Sequence, residues 1–149
     1  MAIDYKKVAL DDLRTHPRRV ESLQNLRERT VALKAQFEGI KVQNTNATPV
    51  QGGACRVEDR LVNNIVERER LKLNYRAVKP MVDIVERGLS ALSGEQRTIL
   101  TQFASAGRHD KGVADRLANE LHMDRSTVYR LRDDALYKFT VSCYGIIDL

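Results

Sequence analysis

Aromatic residues make up only 5% of the 149-residue chain. That leaves little material for a sheet core and points to a helical protein. Cysteine is also scarce. Cys55 and Cys143 form no metal-ligand spacing, and a reduced thiol is expected at each. The histidines His16, His109 and His122 are scattered, and none stands at i, i+4 with another ligand type in a convincing metal arrangement. No apolar run approaches the roughly 20 residues of a membrane span. The opening MAIDYKKVALDD has acids and no apolar centre, which argues against a secretion signal.

Catalytic signatures are missing as well. There is no Gly-x-Ser-x-Gly. The glycine pair Gly52–Gly53 is not followed by the Gly-Lys-Ser/Thr of a phosphate loop. Asp133 and Asp134 are adjacent, and neighbours on a helix point about 100° apart, so solvation explains them better than a carboxylate dyad. The reading is of a non-enzyme with no cofactor and no metal.

Charge, by contrast, is abundant. Charged residues are 30% of the chain, with 25 Lys and Arg against 20 Asp and Glu. The formal surplus of +5 favours an anionic partner.

Read in order, residues 1–15 allow a short helix on Ile3, Val8, Leu10 and Leu13. Pro17 then marks a boundary and suits the first turn of a new helix. From Arg18 to Val42 a long helix is expected. Its seam of Leu23, Leu26, Thr30, Leu33, Phe37 and Ile40 steps by threes and fours. Residues 44–53, NTNATPVQGG, are polar and aperiodic and read as a linker. A second long segment spans Val57 to Leu92. Its stripe is Val57, Leu61, Asn64, Arg68, Leu71, Tyr75, Val78, Val82, Val85, Leu89 and Leu92. Val62, Ile65, Val66, Leu73 and Ile84 flank that stripe, so more than one helix is expected to pack on it. Pro80 should kink this helix or begin a new one. Ser93 and Gln96 fit a capping box, followed by an inner face of Ile99, Leu100 and Phe103. The expected domains are therefore 1–92 and 93–149, joined near Leu92. The tail Val141–Leu149 is apolar and should pack on the protein or a partner.

The most specific stretch is VADRLANELHMDRSTVYRLRDDALYKF, Val113 to Phe139. It reads as two helices and a tight bend. Leu117, Ala118 and Leu121 share one face, Ala118 being small enough for a close crossing. Met123 plugs the bend, and His122 takes the left-handed position that usually holds glycine. Asp124 is placed to cap the next helix through its carboxylate. Val128, Leu131, Ala135 and Leu136 recur at helical spacing. Arg125, Ser126, Thr127, Tyr129 and Arg130 then project near the start of the second helix. Such residues can meet phosphates and base edges.

LSGEQRTIL at Leu92–Leu100 and LANELHMDRSTVYRLRDDAL at Leu117–Leu136 resemble the C-terminal DNA-binding module of sigma factors. The whole chain is similar to phage late-gene regulators of the ArpU and RinA-like kind. Two features depart from the sigma pattern: Arg116 replaces an acidic residue, and the connection Ala104–Gly112 is long. The resemblance implies an all-α chain, a coiled-coil-like helical hairpin followed by a sigma-like helix-turn-helix domain. It implies a transcriptional regulator in the cytoplasm of a bacterial host, an activator of late genes. Double-stranded DNA is the implied partner, with RNA polymerase a second and a homo-dimer or higher homo-oligomer the working form. The alternatives are a small-terminase-like packaging subunit and a helical adaptor that never touches DNA.

Overall fold

The computed structural model describes residues 2–46, 53–107 and 110–145. The described residues form five helices: α1 (Tyr5–Asn46), α2 (Gly53–Ser90), α3 (Gly94–Ala106), α4 (Asp110–Glu120) and α5 (Arg125–Tyr144). No strand occurs among the described residues. Nor is any described helix long and apolar enough to cross a membrane.

Two compact units divide the chain. Residues 1–18 and 81–149 form unit 1, and Arg19–Pro80 form unit 2. Along α2 the units meet between Pro80 and Met81. The last turns of α2 belong with α3 to α5, because Val82, Val85, Leu89 and Leu92 continue the buried stripe onto a new set of partners.

Unit 1 has two apolar clusters. The first gathers Ala9, Leu13, Val85, Leu92, Leu100, Ala104, Ala135, Leu136, Phe139 and Cys143. Its members come from α1, α2, α3 and α5, so the start of α1 is part of this core and not a separate short helix. The second gathers Ile99, Phe103, Val113, Ala114, Leu117 and Val128. It binds α3, α4 and α5 together. Ser93 opens α3 through the expected reciprocal cap, its hydroxyl accepting from the Gln96 amide at 3.2 Å while the Gln96 side chain accepts from the Ser93 amide. Arg14 ties α1 to α3 by donating to the Ala104 carbonyl at 3.1 Å. Tyr144 donates its hydroxyl to the Asp12 carboxylate, which holds the end of α5 to the start of α1. Residues 146–149 of the apolar tail lie outside the described residues.

The Cys143 thiol is 9% exposed and donates to the Ile84 carbonyl at 3.4 Å. Burial, with the nearby Asp12 charge second, pushes it up to about 11 from an ordinary 9.0. Its folded value is raised, so the contribution to stability is complete below pH 9 and is lost as pH rises toward 11. Unfolding titrations of the wild type and Cys143→Ser over that window should show the larger loss in the wild type. Parallel curves would remove the thiol from the account.

Unit 2 consists of the remaining stretches of α1 and α2. Leu33 meets Asn64, while Arg27 meets Tyr75. Partner numbers fall in one helix as they rise in the other, so the two stretches run antiparallel. Leu23, Ile40 and Leu71 are buried between them, with the rest of both expected seams half-buried. Asn64 is 5% exposed; its amide donates to the Leu33 carbonyl at 2.8 Å while its Oδ1 has no partner among the described residues. Such a polar residue in a seam fixes register at some cost in stability.

Three expectations need correction. Pro17 does not start a helix; it lies inside α1. A mid-helix proline removes one hydrogen bond and crowds the preceding turn. Buried Ala9 and Leu13 on one side and Leu23 on the other hold the helix through it. Pro80, expected to kink its helix or begin a new one, lies inside α2 and begins no new helix. Helix, not linker, covers residues 44–46 and Gly53, while 47–52 lie outside the described residues. Finally, Val62, Ile65, Val66 and Leu73 stay largely uncovered among the described residues, at 56%, 43%, 61% and 63% exposed. Of the flanking set only Ile84 joins a core.

Candidate nucleic-acid interface

The bend between α4 and α5 is built by local chemistry. His122 has φ 52° and is the only non-glycine described with positive φ. The Leu121 amide donates to the Leu117 carbonyl at 2.9 Å, and the Met123 amide to the Ala118 carbonyl at 3.0 Å. The second bond spans five residues and closes the helix end around a left-handed residue, as in a Schellman motif. Met123 and Ala118 both pack against the second cluster, so the apolar plug and the small residue work together. Glycine adopts this φ without the steric cost that histidine bears. His122→Gly should therefore be neutral or stabilising by up to about 1 kcal/mol. Thermal melts decide it; a loss of stability would count against strain at this position.

Asp124 departs from expectation. Its backbone has the N-cap conformation, φ −70° and ψ 148°, and its carbonyl accepts from the Val128 amide at 3.1 Å. The carboxylate makes no cap hydrogen bond. The first-turn amides of α5 thus have no side-chain acceptor from Asp124 and can meet an outside anion.

The five projected residues fall into distinct settings. Ser126 and Arg130, one turn apart, are both exposed, and among the described residues Arg130 has no ion pair, hydrogen bond or ring contact. Val128, between them in sequence, is fully buried. Thr127 is half-buried and lines an open concavity of about 490 Å³ with Ala118, Asn119, His122, Met123 and Asp124. Arg125 is exposed but engaged. Its Nε lies 3.4 Å from Asp115 Oδ1, and its guanidinium sits 5.9 Å from the centre of the Tyr129 ring. The Tyr129 hydroxyl above all, and Asp115 after it, raise its pKa further, so it stays charged. An exposed pair of this kind contributes little and yields readily to a phosphate.

Tyr129 is half-buried against Phe103, ring centres 5.8 Å apart. It is a wall of the scaffold. Arg132, which the sequence did not single out, stacks on both rings at 5.1 and 4.9 Å and pairs with Asp133 at 2.8 Å. Phe103 on α3 and Asp110 at the start of α4, both distant in sequence, help place it. Asn119 was also missed, and His122 was read only as the bend residue; both reach the concavity through the turn geometry. Arg116, the departure from the sigma pattern, donates to the Gln102 side chain at 2.6 Å and so links α4 to α3.

Charge is divided unequally. Unit 1 holds thirteen Lys and Arg against thirteen Asp and Glu, and unit 2 twelve against seven. The whole surplus of +5 therefore lies in unit 2. No family model matches the chain, and neither a curated protein nor a solved structure is measurably similar to it.

Proposed function

We propose that the protein is a sequence-specific DNA-binding regulator of transcription that reads base edges with the opening turns of α5. The observation that carries this reading is Arg130. It is a free cation, one turn beyond Ser126, on a helix whose opposite face is locked into a core by Val128. Around it stand the supports such a reader needs. The bend is fixed by a left-handed residue, the first-turn amides are open to phosphate, and Arg125 is held by a weak surface pair.

The charge division adds a second element. A unit with balanced charge gains little from general attraction to phosphate, so its contribution is hydrogen-bond readout. The surplus in unit 2 supplies the long-range attraction that draws DNA to the protein. By its resemblance the regulator activates phage late genes, with the helical hairpin supplying dimerisation or a contact to RNA polymerase.

Fluorescence anisotropy on a selected site and on scrambled duplex, across a salt series, tests the assignment. Arg130→Ala should cost roughly 1–3 kcal/mol on the site and little on scrambled DNA. Arg125→Ala should weaken both and reduce the salt slope by about one contact. Lys138→Ala, about 12 Å further along the same helix, serves as the charge control and should change neither. Equal small losses for all three would reassign α4 and α5 to packing alone.

A further inference from the structure

The outer side of α2 in unit 2 carries a second seam. Asp59, Val62, Val66, Glu69, Leu73 and Arg76 step by three, four, three, four and three residues. This is heptad spacing, and it places all six on one side of the helix. The side is opposite the one that meets α1. Leu71, 3% exposed, and Asn64 face α1, while Val62, Val66 and Leu73 stay more than half exposed. Ile65, 43% exposed, widens the strip. Other large exposed apolar residues are scattered; these four fall within twelve positions. A concentrated apolar strip of this kind marks an interaction surface.

The charges at its two ends identify the occupant. Asp59 stands at one end and Arg76 at the other, about 25 Å apart along the helix axis. Both are exposed, and among the described residues neither has a partner. Glu69, the acid within the strip, already has Lys72 at 3.9 Å. An antiparallel second copy would set Val62 against the partner's Leu73, Val66 against the partner's Glu69 and Asp59 against the partner's Arg76. A two-fold axis would repeat both contacts, as a self-complementary interface requires. A parallel copy would oppose Asp59 to Asp59 and Arg76 to Arg76, which repel.

We propose that the protein forms a homodimer through this strip, with the two α2 helices antiparallel in the register that pairs Asp59 with Arg76. The pairing does not depend on DNA binding and can fail or hold separately from it.

Sedimentation equilibrium of the full chain tests the register, with circular dichroism to confirm that every variant stays helical. The wild type should be a dimer. D59R and R76D should each weaken association roughly tenfold, because each reverses two symmetry-related contacts. The double variant D59R/R76D restores opposite charges and should recover the wild-type constant. A second pair of substitutions, Val66→Asp with Leu73→Asp, should give a helical monomer, since both residues are exposed in the single chain. A monomeric wild type at every concentration overturns the proposal. So does a dimer indifferent to the single reversals, a double reversal weaker than either single one, or a dimer that survives the paired aspartates.

Discussion

Phe139→Ala should cost unit 1 about 3–5 kcal/mol, the usual loss for deleting a buried aromatic ring. Phe139 is the largest fully buried side chain in the described structure. It stands among residues of α1, α2, α3 and α5, so the cavity would open where four helices meet. Total stabilities of single domains are about 5–15 kcal/mol, so the variant would lose a large part of its margin. The close approach that makes the ring so well packed lies at Gly88. A Cβ there would press on Cys143 Sγ and lie 2.7 Å from two ring carbons of Phe139. Gly88→Ala should therefore destabilise by about 1–3 kcal/mol through overpacking, against a helix-propensity gain of about 1 kcal/mol. In the double variant the new methyl can use space the ring has left, so the two losses should fall short of their sum. Urea unfolding at constant m-value measures all three. Strict additivity would show that Gly88 and Phe139 do not share the contact.

The difference between what was readable and what was not follows the range of the interactions. The stripe from Val57 to Leu92 was legible because helical period alone places its residues on one side, and all of them are buried or half-buried. The reciprocal cap of Ser93 and Gln96, and the left-handed His122, were legible because each depends on a few neighbours. Tertiary packing decided the rest. Pro17 reads locally as a helix start, yet burial of Ala9 and Leu13 in unit 1 carries α1 through it. Tyr129 looks like a surface reader on a helical projection, but Phe103 makes it part of a wall. Gly88 carries no local signal of the ring it admits. The Asp124 carboxylate has the right identity and position for a cap and still makes no cap bond. On the candidate interface, the sequence located the bend and the helix start. Which of the five projecting side chains are free depended on partners contributed by α3 and α4.

Unit 2 offers the sharpest comparison, because Leu71 and Leu73 are two positions apart on one helix and differ in nothing but setting. Leu71 is 3% exposed in the seam with α1, whereas Leu73 is 63% exposed on the outer strip. Leu71→Asp should lose at least the roughly 2–5 kcal/mol of a buried Leu truncation. The new carboxylate would also lose solvation in the seam, only partly offset by Arg27, Lys34, Arg68 and Lys72 along the same groove. The paired stretches of α1 and α2 should then separate and lose helicity, because isolated helices are marginal without tertiary packing. Leu73→Asp should leave the single chain's helicity and melting temperature nearly unchanged, as surface substitutions do. Circular dichroism melts at a concentration low enough to keep the chain monomeric make the comparison direct. Equal losses for the two variants would mean that both sides of α2 are buried in the single chain, and the antiparallel pairing of unit 2 through Leu71 would have to be redrawn.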